Sequence, residues 1–168
     1  LVVSDDGSGM TADALLLAPH LIGPLLTLGG TVTSTYRLGF TRLMQFGIAP
    51  VVVIILVICL RRLRRAWRDG IIGKTDLRDA RLVGFAASAA LTITGFLMGS
   101  AIRNSNTMIP AHYHASIGAV TVAFMTIAYL LLEPLGFRLP GARLARLIPW
   151  QLCLFGFGQV IFAIGFGL

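Results

Sequence analysis

Pro110-Ala-His-Tyr-His-Ala-Ser-Ile-Gly-Ala-Val-Thr-Val-Ala-Phe-Met-Thr-Ile-Ala-Tyr-Leu-Leu-Leu132 carries no acidic side chain, no lysine and no arginine. At about 1.5 Å per residue it makes a helix long enough to cross a hydrocarbon core of about 30 Å. Pro110 suits the first turn of such a helix, where a missing amide hydrogen costs little. His112 and His114 follow it, at the mouth of the run. A step of two residues turns about 200° around a helix, so the two imidazoles leave it on nearly opposite sides. They are badly placed to share one metal but can serve two sites flanking one helix. Ala111, Ala115, Ser116, Gly118 and Ala119 are small and leave room for a flat macrocycle on either side. The geometry suits two hemes around one helix.

The rest of the chain is of the same kind. Its 168 residues are 56% hydrophobic and 12% charged, too little polar surface to clothe a soluble domain of that length. The apolar material falls into segments of about 20 residues, the span of a hydrocarbon core. They cover residues 14–32, 43–60, 82–102, 110–132 and 148–168. The expected fold is all-α: a polytopic membrane helical bundle of about five transmembrane helices, with the lipid bilayer as its first partner.

Leu1 is not an initiator methionine, residues 1–11 form no basic-then-apolar signal segment, and the last apolar run reaches Gly167-Leu168 without a polar flank. The expectation is a piece of a longer chain. No internal repeat or low-complexity linker divides it. Cys59 and Cys153 both fall in apolar segments, where free thiols behave as small apolar residues; no disulfide is expected.

Orientation follows from the basic residues. Arg61, Arg62, Arg64, Arg65, Arg68, Lys74, Arg78, Arg81, Arg138, Arg143 and Arg146 fall on the side of the N-terminus, against Arg37, Arg42 and Arg103 on the other. Eleven against three places the N-terminus in the cytoplasm by the positive-inside tendency. The run Arg61-Arg-Leu-Arg-Arg-Ala-Trp-Arg68 has the cation density of a nucleic-acid or anionic-lipid patch. Its place directly after a span favours a topological anchor, and no nucleic-acid partner is expected. In this orientation His112 and His114 lie near the outer end of the fourth span. Two readings stay open from the pattern alone: interfacial histidines meeting water and headgroups, or functional groups at membrane depth.

Pro110-Ala-His-Tyr-His-Ala-Ser-Ile-Gly-Ala-Val-Thr-Val-Ala-Phe-Met125 resembles the tenth helix of the heme-copper oxidase superfamily, in the catalytic subunit I of respiratory terminal oxidases and their nitric oxide reductase relatives. There a His-aromatic-His motif opens the helix near the outer face. The resemblance implies that His112 ligates the iron of a high-spin heme and His114 that of a low-spin heme. Leu91-Thr-Ile-Thr-Gly-Phe-Leu-Met-Gly99 is similar to the glycine-containing ninth helix, and the five spans then correspond to the seventh to eleventh helices of a twelve-helix fold. The resemblance is concentrated in residues 82–125.

The sequence also departs from the family pattern. The seventh family helix carries adjacent histidines for a second metal, copper or non-heme iron. The counterpart here is Leu16-Leu-Ala-Pro-His-Leu21, where only His20 offers an imidazole. His20 is the candidate second-metal ligand, against the alternative of a lone helix histidine bonded to a neighbour. One imidazole falls short of the three or four ligands of a closed site. In the eighth helix, Pro50-Val-Val-Val-Ile-Ile-Leu-Val-Ile-Cys59 lacks the lysine that carries protons in many oxidases. Gln45, Thr92, Thr94, Ser116, Thr121 and Thr126 can hold waters or make intramembrane packing hydrogen bonds.

Elsewhere the pattern reads as structure. Gly95 and Gly99 are spaced for close helix approach, and Gly156, Gly158, Gly165 and Gly167 give the last span a similar thin face. Phe155, Phe157, Phe162 and Phe166 pack on helices, lipid or a porphyrin. There is no phosphate-binding glycine loop, no paired-cysteine zinc pattern and no nucleophilic triad. The resemblance implies an oxidoreductase of the cytochrome oxidase type, in which electrons pass through a low-spin heme to a high-spin heme that reduces oxygen. It implies further respiratory subunits, a cytochrome c or quinol donor and a bacterial inner membrane location. A nitric oxide reductase-like member is the alternative, and a non-catalytic scaffold or transporter of the same fold is the competing class.

Overall fold

Why a helix forms, and where it stops, can be followed residue by residue along the second apolar run. The computed structural model describes residue 17 and residues 21–73, 78–103, 107–137 and 142–167, with side chains from 146 onward in the last range. Residues 21–27 are helical and give way to turns over 28–32, with Gly30 at φ 90°. That left-handed backbone is natural for glycine and closes the helix before Val32. The rest of the first predicted span lies outside the described residues.

Thr33 then caps α1 (Ser34–Arg42), its hydroxyl accepting from the Tyr36 amide at 3.2 Å. A π-helical turn, Leu43–Ile48, leads without a break into α2 (Ala49–Arg68). Pro50 accounts for the wide turn: it has no amide hydrogen for the carbonyl four residues back, and its ring would collide with that carbonyl in an α-helix. One extra residue per turn relieves the clash, with the Ala49 amide donating to the Met44 carbonyl. The helix therefore runs from Ser34 to Arg68 over 35 residues, well beyond the apolar window 43–60.

The described residues fall into two compact units, divided after Arg68. The second is built from α3 (Ala80–Ala101), α4 (Met108–Leu132) and α5 (Ala142–Gly167). Asp79 caps α3, accepting from the Arg81 amide at 2.7 Å, while the Arg81 guanidinium grips the same carboxylate with Nη2–Oδ2 at 2.7 Å. That hydrogen bond first, against the opposing cost of partial burial, holds the Asp79 carboxyl below its ordinary range. A depressed carboxyl adds stability above its unfolded pKa and loses it as pH falls through the lowered value. The pair is largely exposed, so its contribution is small.

The three helices alternate in direction. Ser88 donates to the Ala119 carbonyl at 3.0 Å, and a Cβ at Gly84 would strike Thr126 whereas one at Gly99 would meet His112. These pairings run in opposite senses along α3 and α4. Tyr129 donates to Gln151, while His114 meets Gln159, so α5 is antiparallel to α4 as well. A Cβ at Gly156 would lie 2.9 Å from that of Ala87, and Gly167 sits near Met98; α3 and α5 are therefore parallel. Arg81 and Arg146 consequently mark one end of this unit and Arg103 the other, as their place in the sequence suggested. Leu91, Ala119, Val122, Ile148 and Leu152 make the buried centre.

Small residues let these helices close on one another. Ala111, Ala115, Gly118 and Ala119 are buried by neighbouring helices, so most of the small face that the sequence offered to a macrocycle is covered by protein. Gly118 and Ala119 also border clefts, on different sides of the helix. Among the described residues, four helices are long and apolar enough to cross a membrane: Ser34–Arg68, Ala80–Ala101, Met108–Leu132 and Arg146–Gly167. The protein is an all-α polytopic membrane bundle.

Candidate functional site

His112 and His114 stand in the first turns of α4 and reach different neighbours. Each is half-buried. The His112 Nδ1 lies 2.8 Å from the Gly95 carbonyl oxygen on α3, with the Ser116 hydroxyl 3.4 Å from the same nitrogen. A carbonyl can only accept, so Nδ1 carries the hydrogen and donates it. In a neutral ring that leaves the lone pair on Nε2. Gly99 admits the ring, since a Cβ there would lie 3.0 Å from its Cε1 and Nδ1, whereas a Cβ at Gly95 would meet the Ser116 hydroxyl at 2.7 Å. The glycine spacing picked out in the sequence thus makes both a helix contact and a seat for His112.

His114 leaves on the other side, toward α5. Its Nδ1 lies 3.3 Å from the Gln159 side-chain oxygen Oε1, which accepts from it. Its ring is nearly parallel to Phe162 (centroids 5.4 Å apart, 18° between planes) and to Phe166 (5.2 Å, 8°). Gly118 allows Gln159 to lie where it does, because a Cβ there would come within 2.9 Å of the Gln159 Cγ. Both histidines therefore share one arrangement. An oxygen acceptor from a neighbouring helix holds Nδ1–H, and Nε2 is left as the donor atom.

The surroundings of the two rings differ. Beside His114 lies a cleft of about 360 Å³ lined by Pro110, Tyr113, Ile117, Thr121, Phe155 and Gln159 among others. Apolar walls with a few polar groups suit a flat apolar ligand. His112 is pressed against Gly99 and meets the Gly95 carbonyl of α3. The donor chemistry of both histidines would suit a metal-bound imidazole, since a ligating imidazole almost always donates its other nitrogen's hydrogen to an oxygen acceptor. Of the two histidines, His114 lines this cleft.

Other expected residues fall into place as structure. Thr92, Thr94, Thr121 and Thr126 each donate to a carbonyl four residues back in their own helix. Gly156 and Gly167 face neighbouring side chains, whereas Gly158 and Gly165 have nothing within 4 Å, so the thin face of the last span is used only in part. Phe162 and Phe166 pack on His114. His20 lies outside the described residues. Among the described residues, no group of three or more His, Cys, Asp or Glu gathers to hold a metal. Gln159 is the member that the sequence reading missed; its signal was a carboxamide, one of two with Gln151, within an apolar span.

Gln159 offers a direct test of how His114 is held. In Gln159→Leu the Nδ1–H loses its acceptor, so ¹⁵N imidazole shifts of His114 should move from the Nδ1–H tautomer toward a mixture, while those of His112 stay put. The accompanying loss of stability should be about 1 kcal/mol, that of one ordinary hydrogen bond. Unchanged His114 shifts would show that Gln159 does not set its tautomer.

The chain is 31% identical over 67 residues to an uncharacterized protein of Aquifex aeolicus (strain VF5). The match takes in 40% of this chain and 17% of that protein's length. No protein-family model and no solved structure matches the chain.

Proposed function

We propose that this chain is part of a heme-copper-type subunit I, a membrane oxidoreductase in which His112 ligates a high-spin heme and His114 a low-spin heme. One observation carries the reading. Two imidazoles leave opposite sides of one membrane helix, each with Nδ1–H given to an oxygen acceptor of a different neighbouring helix and each with Nε2 as the available donor. Bound hemes would supply electron transfer and the reduction of a diatomic molecule, with oxygen as the leading substrate.

The protein's part is to fix ligands and exclude water. The Gly95 carbonyl and the Gln159 carboxamide orient the rings. Phe162 and Phe166 hold the plane of His114, and α4 sets the separation of the two sites. An electron donor and a further ligand for the low-spin heme would come from other parts of the assembly, and His20 remains the candidate ligand of a second metal. Residues 51–58 are apolar throughout and offer no side chain to relay protons, which favours nitric oxide as the second candidate substrate. The proposed location is a bacterial inner membrane with the histidine end outward.

The optical spectrum of the full-length protein tests this. Reduction should produce a low-spin band, and carbon monoxide should shift a separate high-spin band. A preparation that retains its fold and contains no heme would favour the scaffold or transporter reading.

A further inference from the structure

The C-terminal end of α2 leaves the apolar window as a continuous helix that carries five arginines, Arg61, Arg62, Arg64, Arg65 and Arg68. Residues 43–60 rise about 27 Å at 1.5 Å per residue, close to a hydrocarbon core of about 30 Å. Arg61 therefore begins where the acyl chains end. The headgroup layer adds only about 5–8 Å on each side, so the first turns of the extension stand at the depth of lipid phosphates. At 100° per residue, Arg61, Arg64, Arg65 and Arg68 fall within an arc of about 100°. Leu63, Ala66 and Trp67 take the other side, which suits a helix lodged among headgroups with Trp67 at the interface.

The stripe has no internal counter-charge. All five arginines are exposed, and among the described residues none of them takes part in an ion pair. Arg61 and Arg65, like Arg64 and Arg68, stand one helical turn apart, where like charges repel. A solvated charged face relieves such pairs with interleaved carboxylates; here the first acid is Asp69, beyond the helix. Guanidinium is built for two-point hydrogen bonding to phosphate oxygens. We infer that the Arg61–Arg68 stripe is a binding site for anionic phospholipid headgroups, engaging phosphodiesters through Arg61, Arg64, Arg65 and Arg68. This assignment is independent of the histidines.

The test uses the full-length protein in phosphatidylcholine vesicles containing trace spin-labelled phosphatidylglycerol or, separately, spin-labelled phosphatidylcholine. Electron paramagnetic resonance reads the motionally restricted fraction of each. The native protein should restrict phosphatidylglycerol preferentially at low salt. Arg61→Gln/Arg65→Gln, which leaves three arginines to maintain topology, should lower that preference about tenfold, and Arg61→Lys/Arg65→Lys should keep part of it. Salt of about 1 M should screen most of the effect. Equal restriction of both lipids by the native protein, or a preference unchanged in the glutamine variant, would overturn the assignment. So would an RNA oligonucleotide that binds the stripe in phosphatidylcholine vesicles while phosphatidylglycerol shows no preference.

Discussion

In the full-length protein, His114→Ala is expected to remove the low-spin heme band and leave the carbon monoxide-sensitive band in place. The asymmetry follows from geometry. His114 faces α5, where Gln159 and Phe162 surround it, whereas His112 faces Gly95 on α3. Losing one ring leaves the other's acceptor and packing untouched. With electron entry cut, consumption of oxygen or nitric oxide should fall by more than about a hundredfold, beyond the 10–100-fold typical of losing only an outer hydrogen-bond partner. A variant that keeps both heme bands and normal turnover would return His114 to the role of an interfacial residue stacked on phenylalanines.

His112→Ala should give the complementary result: the carbon monoxide-sensitive band disappears and the low-spin band remains, again with turnover lost. This substitution also removes the hydrogen bond to Gly95 and opens a void between α3 and α4, so loss of signal by itself does not separate ligation from packing. Added imidazole does. A ligand role predicts that exogenous imidazole restores the carbon monoxide-sensitive band, because the missing donor atom is resupplied. A merely structural role predicts no recovery. If the two histidine variants lost the same band, the assignment of opposite sites would fail.

Four of the five expected spans were legible because hydropathy reports where lipid contact begins and ends; the first, 14–32, is helical over 21–27 and passes into turns over 28–32 among its described residues. Met108–Leu132 and Ala80–Ala101 lie within two residues of the runs read from composition. Helix ends that leave the lipid were not legible in that way. Ser34–Arg68 overshoots its apolar window at both ends, and α5 begins at Ala142 rather than near Ile148, because a helix propagates through arginine as readily as through leucine. The π-helical turn before Pro50 was hidden for a related reason. A proline marks a disturbance but does not say whether the helix will kink, stop or widen.

Within the site, the opposed directions of His112 and His114 followed from helical periodicity alone. Their partners did not, since the rotation of α5 that brings Gln159 to His114 depends on which glycines and alanines interlock. The sequence displayed Gly118 as space for a macrocycle; in the structure that space receives the stem of Gln159. A small residue announces close approach without naming what approaches.

The acceptors behind the two histidines differ in how they can be inherited. The partner of His112 is a main-chain carbonyl, which no codon change at position 95 deletes. The partner of His114 is a side chain, which a single codon change at position 159 replaces. Descendants of this chain could therefore vary the setting of His114 in small heritable steps, while that of His112 can change only if α3 itself is displaced.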